Sequence, residues 1–410
     1  MRIRKIVAAL FVAALAVAAT SATGASGGSA ANTLTVWLQV DAQSGWPEVV
    51  AAANAQFKAA NPGWDVDVQY QTWGTHLQKF DATLAGGNAP DVIEMGNTEM
   101  TKYMAAGAFQ DLAGSSFPNQ SSWLGGLAAS GRFGGKLYGV PYYAGSRVVT
   151  YRTDLYKSAG VKVPTSLAEF TAGARKLAAK NNAKGFSPVY IAGTDWYIAM
   201  SFVYDFGGKI AITNKGKWIG TLDRPQALAG LAAFKKFFNA ASRASKTTDE
   251  SRPQPYDVYA QNQAASIVGP GWFSCCVGDS NKGRTAQFVM PSHTKGQPIP
   301  GFLGGSDLAV PVGASKAQAA SWISAFTDNA SMTVLRAKGN IPNTTSLLGT
   351  SVNERAARRS WFVPTAKHWV NVENGNVLRT MLSRILTNKM TIKQAAEVAS
   401  DNIAFTLNQP

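Results

Sequence analysis

The chain has 410 residues, of which 46% are hydrophobic and 15% are charged, and its formal net charge is +15. This length exceeds what one core usually supports, so we expect two domains, and the composition argues against a disordered chain and against an integral membrane protein. The basic residues are scattered, and their densest cluster spans only residues 355–359, so the charge indicates a solvated basic face rather than a nucleic-acid site.

Residues 1–31 have the pattern of a secretory signal peptide. Arg2, Arg4 and Lys5 precede an apolar run over residues 6–19, which is shorter than the ~20 residues needed to span a bilayer, and small residues follow. Cleavage would remove three cations and lower the net charge from +15 to +12. The leader has no cysteine for a lipid anchor, so we expect a secreted, periplasmic or envelope-associated protein.

The rest of the chain alternates predicted strands and helices. Short apolar or alternating runs predict strands, longer runs with helical spacing predict helices, and Gly, Pro and Asn clusters separate them. Strands are predicted at residues 33–38, 65–70, 91–95, 188–191, 264–268 and 287–290, and helices at 46–60, 75–84, 196–206, 225–241, 315–326, 377–386 and 391–407. Three successive β-then-α units at the start predict a largely parallel sheet covered by helices.

Three crossings of the chain would divide these elements between two lobes. We place the first crossing near Gly145, where a glycine can absorb hinge rotation, the second over residues 291–300 and the third over residues 340–346. Lobe 1 then comprises residues 32–145 and 300–342. Lobe 2 comprises residues 146–299 and 343–410.

The segment 84–112, LAGGNAPDVIEMGNTEMTKYMAAGAFQDL, joins a predicted strand to a helix through a polar loop. The loop contains Gly96, Asn97 and Thr98, and Asn97 or Thr98 would cap the helix that begins near Glu99. Open α/β sheets bind ligands in the crevice beyond their strand ends. We therefore expect this loop to contact a ligand held between the lobes.

Signals for catalysis or metal binding are weak. His76, His293 and His368 are far apart, no phosphate-binding P-loop occurs, and the one Gly-x-Ser-x-Gly pattern lies in the leader. We predict a protein that is not an enzyme and has no cofactor or metal. Two alternatives stay open: a secreted carbohydrate-active enzyme, because 24 Asp and Glu leave room for a carboxylate pair, and a basic cell-wall adhesin.

Aromatic residues point to a sugar. Trp73, Trp196, Trp272 and Trp369 each occur where a strand gives way to a loop. A pyranose ring has an apolar face and a rim of hydroxyls, so its binding needs flat aromatic surfaces and fixed polar groups. For Trp272, which follows Gly-Pro-Gly, a sugar platform and a core position are equally good interpretations.

Several motifs resemble those of extracellular solute-binding protein family 1, the maltose-type family of sugar ABC importers. The segment 84–112 resembles its signature. Further segments keep the order and spacing of the actinobacterial N,N'-diacetylchitobiose-binding proteins, namely VQYQTWG (68–74), VPYYAG (140–145), SFVYD (201–205), FLGGSDLAVP (302–311) and GNIPNTTS (339–346). The resemblance implies an α/β, two-lobed periplasmic-binding-protein-like fold of type II, in which each lobe has a central, mostly parallel sheet flanked by helices.

The same resemblance implies the substrate-binding component of an ABC importer, which captures chitobiose or another disaccharide. It implies a monomer whose partners are the sugar and the membrane permease subunits, and no nucleic acid. By motif, the ligand-binding positions fall in lobe 1, at the hinges and on the aromatics of lobe 2, at Gln39, Asp41, Gly96, Asn97, Thr98, Tyr143, Arg147, Trp196, Tyr197, Trp272, Gly305, Ser306 and Trp369.

The two cysteines of the chain, Cys275 and Cys276, are adjacent. In an oxidising compartment we favour a vicinal disulfide over two free thiols, although neighbouring Cα atoms lie only ~3.8 Å apart and would strain it. The resemblance also has departures. Ser130 and Gly139 stand where the chitobiose binders carry a cysteine pair, and Asp307 stands where Asn is expected. Either change could give this protein a different ligand.

Overall fold

The computed structural model of the chain describes residues 32–251 and 253–409, with the side chain of Cys275 excepted. The predicted signal peptide lies outside these residues. The predicted vicinal disulfide requires the side chain of Cys275, which also lies outside them, and it therefore stays a prediction. Among the helices within the two ranges, none combines the length and the apolar character needed to cross a bilayer.

The described chain mixes strands and helices along its whole length. Its strands are β1 (Asn32–Gln39), β2 (Trp64–Gln71), β3 (Val92–Gly96), β4 (Arg132–Phe133), β5 (Lys136–Leu137), β6 (Gly139–Gly145), β7 (Arg147–Arg152), β8 (Ala211–Asn214), β9 (Lys217–Gly220), β10 (Ser266–Pro270), β11 (Thr285–Phe288), β12 (Gly301–Phe302), β13 (Gly304–Ala309), β14 (Ile341–Pro342) and β15 (Ser360–Trp361). Its α-helices are α1 (Val40–Gly45), α2 (Pro47–Ala60), α3 (His76–Gly86), α4 (Met100–Ala105), α5 (Gly125–Ser130), α6 (Thr153–Ser158), α7 (Leu167–Lys180), α8 (Trp196–Asp205), α9 (Pro225–Ala241), α10 (Pro255–Ala260), α11 (Lys316–Phe326), α12 (Asn329–Ala337), α13 (Val352–Ala357), α14 (Trp369–Asn374), α15 (Val377–Leu386) and α16 (Ile392–Leu407).

Two sheets organise the fold. The first has six strands in the order β14-β6-β13-β3-β1-β2, and the second has three in the order β10-β7-β11. In the first sheet β1 runs parallel to β2 and β3, whereas β13 is antiparallel to β3 and β6, and β14 is antiparallel to β6. In the second sheet β7 is antiparallel to both neighbours.

The predicted α/β class is confirmed, but the expectation of mostly parallel sheets is wrong. Parallel pairing requires a crossover connection, usually a helix. Helices α2 and α3 supply it for β1, β2 and β3, which are the strands on which the prediction was based. Strand β13 enters the same sheet only after the chain has built the second sheet, so no crossover helix sets its direction.

Some elements differ locally from those predicted. Residues 40–45, between the predicted strand 33–38 and the predicted helix 46–60, form the short helix α1. The predicted strand at 188–191 makes only isolated parallel bridges, Ser187 with Ala264 and Tyr190 with Ile267. Neither Asn97 nor Thr98 caps α4, whose N-cap is Glu99 without a side-chain bond. Helices α9 and α15 have their predicted bounds.

Each sheet has its own apolar core. Val36, Leu38 and Trp322 belong to a cluster on the first sheet, whereas Phe202 and Trp369 belong to a larger cluster beside the second. The first sheet draws its strands from residues 32–145 and 304–342, and the second from residues 147–288. On this basis we propose the two-lobe division.

The third boundary between the proposed lobes belongs beyond residue 343. The Asn343 side chain is buried and its Nδ2 donates to the carbonyl oxygen of Pro141 at 2.8 Å, while the Asn343 carbonyl accepts from the amide of Leu124 at 2.9 Å. These contacts attach Asn343 to the first sheet and its helices, so we propose to count it with lobe 1.

Candidate functional site

A cavity of about 720 Å³ opens between the two sheets. The first sheet contributes residues at the ends of β3 and β6 and at the start of β13, and the second contributes the first residue of β7 and the last of β10. Asp41 of α1, Trp73 before α3, Tyr197 of α8 and Trp272 after β10 also line it. A site of this size is within the range of small-molecule binding pockets, about 300–1,000 Å³.

The structure brings most of the predicted binding residues together. Ten of the thirteen line this cavity: Asp41, Gly96, Asn97, Thr98, Tyr143, Arg147, Tyr197, Trp272, Gly305 and Ser306. They are spread over more than 260 positions of sequence, from 41 to 306, and the fold collects them at one place. Their role in binding stays a prediction.

The other three predicted residues do not line the cavity. Trp369 is completely buried, and its indole N–H donates to Glu373 at 2.9 Å. Trp196 is buried in the same core, 6.3 Å from the ring of Trp369. Gln39 is buried beneath the site, where its backbone amide donates to Glu94.

Trp196 is buried because the next residue of the helix, Tyr197, is the one that faces the cavity. The side chain of Asp195 caps α8 by accepting the amide of Ile198 at 3.2 Å, so Trp196 and Tyr197 are the first two residues of the helix. Successive residues of a helix point in different directions. Here the first turns into the core and Tyr197 lines the cavity, with the two rings stacked 3.9 Å apart.

Eight lining residues were not among the predicted binding residues: Trp46, Trp73, Gly145, Ser146, Pro270, Phe302, Gly304 and Asn340. Two had a usable signal in the sequence. Trp73 is one of the tryptophans at a strand end, and Gly145 lies at the predicted hinge. Phe302 and Trp46 read as ordinary apolar residues, and only the tertiary arrangement shows that they reach the site.

A chain of polar contacts connects the loops of the first lobe. The indole N–H of Trp73 donates to Asp41 at 2.7 Å, and the backbone carbonyl of Trp73 lies 3.0 Å from Nδ1 of His76. Nε2 of His76 lies 2.9 Å from Glu99, which also accepts the amide of Gly96 at 2.8 Å. The contacts therefore tie three separate cavity-lining segments into one unit.

The surroundings of His76 favour its doubly protonated, positively charged form. Both of its ring nitrogens face acceptors, a carbonyl oxygen and a carboxylate, and only the imidazolium can donate to both. Burial favours a lower pKa for His76, but the hydrogen bonds and charge of Glu99, with the Trp73 carbonyl, outweigh it and raise the pKa. A charged His76 holds the Trp73 loop against the start of α4.

A buried carboxyl group lies below the cavity. Burial raises the pKa of Glu94 to about 7, opposed by the amide of Gln39, which donates to its Oε2 at 2.9 Å. The hydroxyl of Ser306 and Oε1 of Gln39 are buried beside Glu94, and the Ser306 hydroxyl also opposes the effect of burial. Burial therefore favours the neutral form of Glu94 up to a pH of about 7.

Strands β6 and β13 approach each other closely at the cavity wall. A Cβ atom at Gly305 would overlap the carbonyl oxygen of Tyr143, so only glycine fits there. The side chain of Asn97 fixes the neighbouring loop by donating to the carbonyl of Leu303 at 2.7 Å, and its amide donates to the carbonyl of Gly305 at 2.9 Å. Asn97 thus shapes the site as well as lining it.

Three tryptophans give the cavity flat apolar surfaces. Trp272 is 57% exposed and Trp73 is 40% exposed, which is unusual for so large an apolar side chain. Trp46 is nearly buried, and its indole N–H donates to the hydroxyl of Tyr142. Exposed indole faces beside hydrogen-bonding loops can bind a ring that has an apolar face and a polar rim.

The cavity wall carries few charged groups. Asp41 is the one carboxylate among the lining residues of the described chain, and Arg147 is the one cation. Cleavage of a glycosidic bond normally needs two carboxyl groups on opposite sides of the bond. Within the described ranges, no cluster of three or more His, Cys, Asp or Glu side chains is placed to hold a metal.

Two α/β bodies around an aromatic and polar cavity define a two-lobed ligand-binding protein. The chain belongs to the bacterial extracellular solute-binding protein family, which it matches over residues 13–333. It is similar to the diacetylchitobiose binding protein DasA of Streptomyces coelicolor, with 30% identity over 388 residues, 91% of this chain and 90% of that protein. The predicted family is therefore confirmed.

Solved structures agree on the fold. The maltose-binding periplasmic protein MalE of Listeria monocytogenes, in complex with maltose, superposes with a TM-score of 0.78 at 18% identity, over 93% of this chain and all of that one. The sugar-binding protein MalE of Xanthomonas citri gives a TM-score of 0.77 at 18% identity, over 92% and 97%. These likenesses confirm the predicted two-lobed type II fold.

Proposed function

We propose that this protein is the substrate-binding component of an ABC importer and that it captures an oligosaccharide of the N,N'-diacetylchitobiose type in the cavity between its lobes. It binds the sugar without breaking any bond. Its partners are the sugar and the membrane permease subunits, and ATP is hydrolysed by other components of the importer.

The observation that carries the proposal is the composition of the cavity wall. Trp46, Trp73 and Trp272 supply apolar faces, while Asp41 and Thr98 supply hydrogen-bonding groups from loops of the first lobe. The similarity to a diacetylchitobiose binding protein over nine-tenths of both chains supports the choice of sugar. Because the wall comes from both lobes, a bound sugar would favour their closed arrangement.

Calorimetric titration tests the proposal. The mature protein is titrated with N,N'-diacetylchitobiose, cellobiose, maltose and N-acetylglucosamine, and we expect saturable binding of one molecule per chain, tightest for a disaccharide. The sugar is then recovered and analysed. Binding of none of these sugars would overturn the proposal, and recovery of cleaved sugar would favour the carbohydrate-active enzyme instead.

A salt titration separates a built site from surface attraction. Binding of a neutral sugar in a cavity should change little between low and high ionic strength, because screening acts on exposed charges. Binding that disappears with added salt would instead support an adhesin that uses its net positive charge.

A further inference from the structure

Arg147 has an unusual position in the cavity wall. It is the first residue of β7 and pairs with Pro270 of β10, at the end of the second sheet that meets the cavity. Its guanidinium carbon lies 4.3 Å from the centre of the Tyr197 ring and 5.8 Å from that of Phe302. Two aromatic rings therefore contact the guanidinium, and both rings line the cavity with it.

The hydrogen-bonding capacity of Arg147 is not used by the protein. Within residues 32–251 and 253–409, its side chain makes no hydrogen bond and no ion pair. It contacts the two rings, and its charge also favours the ionised form of the buried Asp195 carboxyl group. By contrast, Arg152 donates to Asp154 and Asn262, and Arg379 donates to Glu250. A guanidinium has five N–H donors in one plane, so Arg147 offers its edge to a ligand.

The surroundings of Arg147 restrict the group that can use those donors. Its neighbour Phe302 is buried except for the part that reaches the cavity, so an apolar surface lies beside the donors. The opposite charge on the wall is Asp41, so the lining charges balance, and a carboxylate on the ligand would add a net negative charge. A neutral group with both an acceptor oxygen and an apolar part fits best.

We propose that Arg147 is the residue by which this site selects N-acetylated sugars: its guanidinium donates to the carbonyl oxygen of an acetamido group, whose methyl group packs against Phe302 and Tyr197. This inference rests on the proposed function, since it presumes a sugar in the cavity. A sugar with a hydroxyl at the same carbon keeps the stacking contacts but loses the carbonyl acceptor and the methyl contact.

The test compares affinities for matched disaccharides. N,N'-diacetylchitobiose, cellobiose and a glucuronic-acid disaccharide are titrated into the native protein, Arg147→Met and Arg147→Lys by calorimetry. Methionine keeps an unbranched apolar side chain over Tyr197 but removes the donors, and lysine keeps the charge without the planar fork. Arg175→Met, an exposed arginine on α7, is the control for loss of one cation.

We expect the native protein to prefer diacetylchitobiose over cellobiose, and Arg147→Met to reduce that preference by about 10- to 100-fold, as expected for hydrogen bonds to a charged group. Arg147→Lys should retain part of the preference, and Arg175→Met should retain all of it. Circular dichroism shows whether each variant is folded.

Three results would overturn the inference. Arg147→Met could weaken both sugars equally, which would make Arg147 a general packing residue. The preference could survive in Arg147→Met, or the glucuronic-acid disaccharide could bind most tightly to the native protein. If the native protein binds no sugar at all, the proposed function itself fails, which is a different outcome from sugar binding without selectivity.

Discussion

At the scale of single residues, the exposed indole of Trp272 is the most direct test of the sugar site. Its ring meets Phe273 edge-on at 4.8 Å and Tyr256 at 5.8 Å, which leaves its outer face open. The sequence left a platform and a core position equally open for this residue, and the exposed side chain at the cavity favours the platform.

We predict that Trp272→Ala weakens sugar binding about 30-fold, because loss of a central aromatic contact costs about 2 kcal/mol. Since the side chain is largely exposed, the melting temperature should stay nearly constant. Phe405→Ala is the matched control, because Phe405 is 72% exposed on α16 and does not line the cavity. Equal affinities of Trp272→Ala and the native protein would remove Trp272 from the site.

Asp307 is a buried carboxyl group that should make the stability of the protein depend on pH. Its carboxyl group is completely buried, and burial raises its pKa to about 7, although the nearby Ser130 hydroxyl opposes the shift. The folded state therefore binds a proton that the unfolded state releases near pH 4, so this group lowers stability as the pH rises from about 4 to about 7.

We predict that Asp307→Asn stabilises the protein at pH 8 by on the order of 2 kcal/mol, because asparagine never carries the buried charge. At pH 4 the two proteins should unfold at similar denaturant concentrations, which provides the control in the same experiment. A difference that is independent of pH would show that the charge of Asp307 is not the cause.

Sequence patterns predicted which loops reach the cavity better than they predicted which way an individual side chain points. The polar loop after β3 places Gly96, Asn97 and Thr98 in the cavity wall, and their role in binding stays a prediction. A tryptophan at a strand end gave no such information, because Trp73 and Trp369 have the same local pattern and opposite environments. The direction of a side chain depends on what packs behind it, and the sequence does not show that.

At the scale of elements, the contact between His76 at the start of α3 and Glu99 before α4 connects two loops of the site. The pKa of His76 is raised in the folded state, so the proton stabilises the fold fully below its unfolded pKa of about 6.5. That contribution is lost as the pH rises from about 6.5 through the higher folded value.

We predict that the melting temperature of the native protein falls between pH 6.5 and pH 9, and that sugar affinity falls with it, because the Trp73 loop loses its attachment. In His76→Phe the free energy of unfolding and that of sugar binding should each be weaker at pH 6.5 by on the order of 1 kcal/mol, and both should depend less on pH. His368→Phe, which leaves His76 in place, should behave as the native protein does. If His76→Phe had the same pH profile as the native protein, the His76–Glu99 contact would not be the cause of the pH dependence.

The sequence predicted long helices well and strand pairing poorly. Helix α9 begins at Pro225, and α16 follows a capping box in which Thr391 and Gln394 bond each other's backbone amides, so their ends are encoded locally. Strand direction in the sheets depends on segments far apart in sequence, such as β3 and β13. A local pattern cannot determine such a pairing.

At the scale of the whole molecule, the cavity wall is divided between two sheets with separate cores. The chain crosses between them at residues 145–147, where β6 ends and β7 begins with a single residue, Ser146, in between. So short a connection can act as a hinge, because small dihedral changes there rotate one lobe against the other.

We predict that a saturating sugar reduces the radius of gyration of the protein in solution, as measured by small-angle X-ray scattering. Contacts with both lobes would stabilise the closed arrangement over the open one. Trp272→Ala at the same sugar concentration should stay closer to the unliganded value. A scattering curve that does not change on saturation of the native protein would show that the lobes do not move on binding.

The indole rings of the cavity should also make the intrinsic fluorescence of the protein sensitive to ligand binding. Trp46, Trp73 and Trp272 line the cavity, whereas Trp196, Trp322 and Trp369 are enclosed in the two cores. Displacement of water from the exposed rings of Trp73 and Trp272 would shift their emission to shorter wavelengths, and the enclosed tryptophans would contribute a constant background. Occupancy can therefore be followed by intrinsic fluorescence without a dye, in a stopped-flow instrument as well as at equilibrium.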